Sequence, residues 1–272
     1  MKKVIAMISL AILLCFIFVA VFAELLAPCD PNLPDMAHRL DGPSREHLLG
    51  TDHLGRDLLS RLIYGSQSSV FIAFFVTACT LMVGMTIGLI SGYFGGWVDH
   101  IIQMIVNIFQ GIPSTAFVVA ILGLMRPGLQ GMMVAIIVSS WAGFSRIVRN
   151  QVLEIREMHY IEGAKALGCS SFYILRRHVL PNILLPLLVL VATRIGSTVL
   201  TVASMSFLGL GLRAPAADWG IMINDAKLYF VQDFKALLAP TLCLTLFCLS
   251  IHLLADYLRD MLDHNDDAAR ML

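Results

Sequence analysis

Val70-Phe71-Ile72-Ala73-Phe74-Phe75-Val76-Thr77-Ala78-Cys79-Thr80-Leu81-Met82-Val83-Gly84-Met85-Thr86-Ile87-Gly88-Leu89-Ile90 carries no charged side chain. A helix rising 1.5 Å per residue needs about 20 residues to cross the hydrocarbon of a bilayer, and this stretch supplies them. Gly84 and Gly88, with Gly92 just beyond, recur every four residues. That spacing lays a smooth ridge on which a second helix can approach closely. The stretch therefore predicts one span of a packed membrane bundle, ended by Gly95-Gly96 ahead of the interfacial anchor Trp97.

Further runs of the same kind lie on either side. Val4 to Ala23 is uncharged and follows Lys2 and Lys3. A cleaved signal peptide is the competing reading, but signal cores run to about 15 residues and this run is longer. Ile101 to Met125 is interrupted by Gly111-Ile112-Pro113. Pro113 lacks an N–H and should kink or break that span near mid-membrane. Met132 to Phe144 should continue as helix past Ser145. Ile183 to Gly211 contains Arg194, and Ala236 to Ala255 is the last run. The fold class is all-α: a polytopic membrane helix bundle of about six transmembrane helices. Six spans place both termini on one side. The dense basic cluster from Arg146 to Arg177 belongs in the cytoplasm with Lys2 and Lys3. Arg126 and the charges of the long loop Glu24 to Ser68 then fall outside.

Composition agrees. Of 272 residues 58% are hydrophobic and only 14% charged, with a mean hydropathy of +0.80. A water-soluble globule cannot hide that much apolar surface. The 19 basic and 19 acidic residues cancel, so the basic field of a nucleic-acid binder is absent. Disordered, collagen-like and disulfide-scaffold classes are excluded too. The six cysteines form no CxxC pair, which argues against a structural zinc or iron–sulfur site.

The most informative polar stretch is Glu162-Gly163-Ala164-Lys165-Ala166-Leu167-Gly168-Cys169-Ser170-Ser171, continuing through Arg176-Arg177-His178-Val179-Leu180-Pro181. It reads as a short helix, a glycine stop and a second helix capped by Ser171. Ile161, Ala164 and Leu167 should share one face of the first helix, and Phe172, Leu175 and Val179 one face of the second. Small residues near the turn would let the first helix sink into a groove on a partner. An amphipathic helix lying on the lipid surface, with Arg176 and Arg177 at the headgroups, fits the pattern equally.

The order Glu-x-Ala-x-x-x-Gly followed by Leu-Pro resembles the EAA loop of ABC-importer permeases. Gly163 stands where that family has its first alanine. The resemblance covers nearly the whole chain. His47-Leu48-Leu49-Gly50-Thr51-Asp52-His53-Leu54-Gly55-Arg56-Asp57 with Ser60-Arg61, Gly92-Tyr93-Phe94-Gly95-Gly96-Trp97-Val98-Asp99, Ser206-Phe207-Leu208-Gly209-Leu210-Gly211 and Leu258-Arg259-Asp260 are similar to the C-type permease subunit of the dipeptide/oligopeptide/nickel family. The resemblance implies a type I ABC importer permease with cytoplasmic coupling helices in a bacterial inner membrane. Residues 1–68 would hold the first transmembrane helix and an extracytoplasmic loop. Residues 69–264 would form the permease domain with the EAA-type loop at about 155–181, and 265–272 a C-terminal tail.

The partners implied are a related permease subunit in a heterodimer, two ABC ATPase subunits, an extracytoplasmic solute-binding protein and the lipid bilayer. No nucleic acid is implied. The chain has no GxxxxGK[ST] phosphate loop, so it is expected to be no enzyme and to bind no cofactor itself. ATP and Mg are expected on the partner ATPase subunits. Glu162 would be the polar anchor for ATPase coupling and Gly163, Ala164 and Gly168 its close-contact positions, with Leu180 and Pro181 closing the segment.

For cargo, Met205 to Gly211 and Ala217 to Ala226 resemble nickel permeases, which points to nickel, as ion or chelate. Val202 stands where peptide permeases commonly have glutamate, Asn107 where they have aspartate and Met104 where arginine is usual. The lumen is thus expected to lack charges that peptide carriers show. A dipeptide or oligopeptide importer of the same family is the alternative. A stand-alone secondary transporter is the alternative of another class, but inverted repeats and intramembrane carboxylates are not visible. Candidates for the translocation path are Asn107, Pro113, Arg194, Met205, Ser206, Phe207 and His252. No residues stand out as a metal site; His47 and His53, both on the outer side, are the candidates. An arginine in mid-span costs at least about 2.5 kcal/mol on insertion scales and needs water or a partner. Arg194 is therefore expected to face the path or to pair with an acid of the partner permease. A later start of its span, with Arg194 reaching the inner interface, is the other reading.

Overall fold

A computed structural model describes residues 2–125, 128–213 and 215–270, with 263–270 described as backbone. Arg126 and residues 271–272 of the expected C-terminal tail lie outside the described residues. In chain order the helices are α1 (Lys2–Val21), α2 (Ala23–Leu26), α3 (Leu58–Phe94), α4 (Gly96–Gly111), α5 (Ser114–Leu124), α6 (Leu129–Arg156), α7 (His159–Ala166), α8 (Ser171–Ile174), α9 (Leu180–Phe207), α10 (Trp219–Ala226) and α11 (Phe234–Arg270). No strand longer than an isolated bridge, Thr51 to Asp57, occurs among the described residues.

Five helices are long and apolar enough to cross a membrane alone: α1, α3, α6, α9 with the turns before it, and α11. Among the described residues the pair α4 and α5, bent by 89° at Ile112-Pro113, also passes the same test taken together and makes up to six. Pro113 can donate no hydrogen bond there, and Ile112 before it is extended, as a residue preceding proline prefers.

The glycine ridge sets the closest helix pair, α3 against α6. A Cβ on Gly84 would lie 2.5 Å from Phe144 Cβ, one on Gly88 2.6 Å from the Ser145 carbonyl, and one on Gly92 2.8 Å from Val152 Cβ. Only hydrogen fits at these positions, which is how backbones come within van der Waals reach without a hydrophobic drive from lipid.

Three clusters fill the interior. Around Trp219, α1, α3, α9 and α11 converge, with Phe16 edge-on to both Trp219 (5.6 Å) and Phe247 (5.7 Å). A second joins α3, α5, α6 and the end of α9 through Val76, Leu122, Met132 and Val202. The third joins α6, α7 and the start of α9 through Val152, Ile161, Ile174, Val179 and Ile183. Large apolar side chains such as Ile8, Phe18, Phe71 and Phe75 point outward, as spans facing lipid require.

One boundary differs from the sequence expectation. The loop after α1 ends at Asp57, not at Ser68, because α3 begins at Leu58. Asp57 caps it by accepting from the Ser60 N–H and hydroxyl, both at 2.7 Å. Arg61, which made this turn look like exposed loop, is buried: its Nε lies 3.4 Å from Asp52, and it donates to the Pro31 and Pro215 carbonyls at 3.1 and 3.3 Å. Arg56 completes the network, with Nε 2.7 Å from Asp52 and Nη2 3.3 Å from Asp225 of α10. The loop is thereby locked onto α3 and α10 at one end of the bundle.

Candidate functional site

At the opposite end from that lock stands the α7 turn. Helix α7 stops because Gly168 takes φ +78°, a conformation other residues adopt at a cost. The Cys169 N–H then reaches the Ala164 carbonyl at 3.1 Å and the Gly168 N–H the Lys165 carbonyl at 3.0 Å, which satisfies two end carbonyls. The next helix is capped by Ser170, whose Oγ accepts from the Tyr173 N–H at 3.3 Å, and not by Ser171. Either serine has the chemistry; Ser170 has the extended backbone that a cap needs.

The expected faces are split. Ile161 is fully buried and Ala164 half-buried, but Leu167 is 85% exposed. Six residues on from Ile161, Leu167 lies about 120° round the helix from it and so leaves the buried face. Likewise Val179 is buried and Leu175 half-buried, whereas Phe172, in the first turn of α8, is 71% exposed. Glu162 is exposed, and nothing lies within 4 Å of a Cβ placed on Gly163 or Gly168. The turn therefore offers other molecules a bare patch of small and apolar positions, with Ile161 as its anchor to α6 and α9.

From α8 the chain runs into α9 through one wide turn, Leu175–Val179. The Leu180 N–H bonds the Leu175 carbonyl, five residues back. Pro181, with no N–H to continue the normal ladder, follows at once. Leu180 and Pro181 thus mark a continuous helical link from the turn to α9.

Midway along the bundle lies the second feature, a cleft of about 590 Å³ between α3, α6, α9 and the α4/α5 break. Pro113 and Arg194 line it. So do Thr77, Thr80, Ser114, Ser139, Ser140, Ser197, Thr198 and Thr201, with Phe109, Gln110, Gly143 and Phe144. Several hydroxyls donate back to their own helix: Thr80 to Val76, Ser139 to Ile136, Ser197 to Thr193, Thr198 to Arg194 and Thr201 to Ser197. Those oxygens turn lone pairs toward the cleft. Arg194 stacks its guanidinium over Phe144 at 5.3 Å.

The other path candidates are elsewhere. Asn107 is exposed on α4 and accepts from Arg146. Met205 is buried in the second cluster beside Val202. Ser206 is buried under Gly211. Phe207 meets Lys227 at 5.1 Å. The His252 ring lies against Gly196, its Nδ1 2.7 Å from the Cys248 carbonyl. Sequence reading missed the hydroxyl stripe. Its signal was the spacing Arg194, Ser197, Thr198 and Thr201, one face of a helix.

The segments that suggested nickel serve the scaffold. Gly209 (φ +76°) ends α9, and the Leu210 N–H reaches the Met205 carbonyl at 2.9 Å. Asp218 caps α10 by accepting from the Gly220 and Ile221 N–H groups at 2.7 and 3.1 Å. Trp219 fills the first core. Val202 is fully buried and does not line the cleft.

On the loop side, His53 stacks on Tyr229 at 5.3 Å. His47 Nδ1 lies 3.0 Å from Asp57 Oδ1, and Cys29 Sγ is close enough that the three donor atoms fall within 4.8 Å of one another. Burial, then the charges of Asp57 and Glu46, push the Cys29 thiol up.

Comparison with known proteins follows the same lines. Residues 84–264 match the family described as binding-protein-dependent transport system inner membrane component, and residues 1–43 the N-terminal TM domain of oligopeptide transport permease C. The dipeptide transport system permease protein DppC of Alkalihalophilus pseudofirmus is 37% identical over 96% of this chain and 86% of its own length. The glutathione transport system permease protein GsiD of Pectobacterium atrosepticum is 37% identical over 92% and 83%. The probable D,D-dipeptide transport system permease protein DdpC of Escherichia coli is 35% identical over 94% and 86%. An inward-facing structure of the MetNI methionine ABC transporter superposes with a TM-score of 0.62 at 22% identity, covering 75% of this chain and 97% of that one, and so shares the fold.

Proposed function

The chain belongs to the binding-protein-dependent permeases, the membrane-spanning subunits of ABC importers of the dipeptide/oligopeptide family, and from that premise we propose that it forms half of an import path for small peptides. A subunit of this kind has no ATP site of its own; the ATPase is a separate subunit. The cleft is the observation that carries the peptide reading. At about 590 Å³ it suits a cargo of several residues' bulk, and hydroxyls and an arginine suit amide and charged groups. Its lining contains no histidine, cysteine or carboxylate among the described residues, which is poor chemistry for a nickel ion. The names of the relatives point the same way.

The path is completed by a related permease in a heterodimer. The locked loop end faces outward, toward a solute-binding protein, and Lys2, the α7 turn and the C-terminus face the cytoplasm. Two ATPase subunits, holding ATP and Mg, dock on the α7 turn. Glu162 is its polar anchor, and Gly163, Ala164 and Gly168 allow close approach. Closure of the ATPases pulls on α7. Ile161 transmits the pull to Val148 and Val152 of α6 and, through Ile174 and Val179, to α9. Helix α9 carries it on through Leu180 and Pro181. From Leu180 to Arg194 the helix rises about 21 Å, with Pro186 inside it, so one continuous helix links the turn to the cleft.

Uptake measured in cells with and without this chain decides the cargo. Loss of radiolabelled dipeptide uptake on deletion, with nickel uptake unchanged, is the expected result. Loss of nickel uptake with dipeptide uptake intact would contradict it.

A further inference from the structure

Arg194 is the one cation in the cleft lining, and its guanidinium meets no carboxylate among the described residues. It is held by Phe144 beneath it and leans over Gly143. A Cβ on Gly143 would sit 3.5 Å from Arg194 Nη2 and 4.0 Å from Gln110 Nε2. Two hydrogen-bond donors thus converge over a residue with no side chain. The neighbouring hydroxyls of Ser197, Thr198 and Thr201 spend their hydrogens on backbone carbonyls and offer lone pairs. The cleft therefore has a donor pole at Arg194 and Gln110 and an acceptor surface along the rest of α9. A half-buried guanidinium without a counter-charge is costly in a membrane and attracts an anion.

We propose that Arg194, assisted by Gln110, binds the carboxylate of the passing cargo and so selects acidic or C-terminally free peptides. This rests on the peptide-import reading above. The planar fork of an arginine suits a carboxylate, and the Phe144 ring 5.3 Å from its Cζ helps to hold it at the cleft wall. Release remains possible because one such contact, in a path that opens to water, holds cargo only weakly.

The test uses the complete transporter in proteoliposomes with its binding protein, L-Ala-L-Ala as cargo, and the variants Arg194→Gln and Arg194→Lys. The peptide-free ATPase activity of each complex is measured alongside. The expected result is a fall in dipeptide uptake of about tenfold in Arg194→Gln, with recovery to within about threefold in Arg194→Lys. Peptide-free ATPase activity and heterodimer yield should stay within about twofold of the parent. Unchanged uptake in Arg194→Gln overturns the proposal. So does equal loss in Arg194→Lys, or a parallel fall in heterodimer yield or peptide-free ATPase, which would assign Arg194 to pairing with the neighbouring permease. Absence of dipeptide uptake by the parent complex would instead strike the peptide-import reading itself.

Discussion

The turn after α7 and the turn after α9 are closed by one backbone device and end in different surroundings. In each, a glycine at positive φ lets the following N–H reach back to a carbonyl, from Cys169 to Ala164 and from Leu210 to Met205. At Gly209 itself the turn is open, with Leu208 59% exposed and nothing within 4 Å of a Cβ on the glycine, but the chain that follows returns to the core. Gly211 sits under Ser206, Gly220 lies against the Ala203 backbone and Trp219 is fully buried. After Gly168 it stays bare, with Leu167 and Phe172 in the open. Identical local chemistry thus serves two ends: one turn completes the fold, and the other is left as a surface for another molecule. The loop end sharpens the contrast, since Asp52, Arg56, Arg61 and Asp225 pair with one another there and Arg61 also donates to the Pro31 and Pro215 carbonyls, all within this chain.

The largest effect is expected from filling the covered turn. A Cβ on Gly220, in the first turn of α10, would lie 2.3 Å from the Ala203 carbonyl and 2.8 Å from the Ala203 Cα, backbone that has little room to yield. Gly220→Val should cost about 3 kcal/mol or more through overpacking, seen as loss of the chain from membranes and a lowered Tm. A variant of parental stability would break the comparison at its covered side.

Next comes the bare turn. Gly168→Leu meets nothing within 4 Å, so it should cost only the strain of a positive φ, about 1–2 kcal/mol, and leave insertion intact. Transport and peptide-stimulated ATP hydrolysis should nevertheless fall about tenfold or more, because the side chain stands on the docking patch. Gly209→Leu carries the same backbone strain. If both variants lose transport equally, strain and not docking is responsible.

The smallest effect is expected at Gly163, exposed and with open space around it. Gly163→Ala should stabilise α7 by up to about 1 kcal/mol and keep transport within about twofold. Circular dichroism and uptake check the two halves of that statement.

These contrasts explain which parts of the molecule could be read from its sequence. The spans were legible because an uncharged run has few places to go other than lipid, and Gly84, Gly88 and Gly92 told which face of α3 is approached. The break at Pro113 followed from a missing N–H. The start of α3 was hidden because Arg61 is charged, and its partners Asp52, Pro31, Pro215 and Asp225 come from distant segments. Leu167 looked like a core residue because i, i+3 steps were followed twice, and each step drifts about 60°, which carries it off the face that Ile161 buries. Val202 looked like a lumen position, but it packs into the second cluster beside Val76 and Met205. The hydroxyl stripe on α9 could be seen as a stripe, not as a cleft wall, until α3, α6 and the α4/α5 break stood opposite it.

The bare turn is the point at which all of this can be tested most directly. A photo-crosslinking residue, p-benzoylphenylalanine, placed at Leu167 in the assembled complex in native membranes should form an adduct with an ATPase subunit, and ATP should change its yield. The same probe at Leu208, beside the covered turn, should give no ATPase adduct. If Leu167 labels lipid alone while the ATPase subunits are present, the α7 turn is not where the motor is gripped.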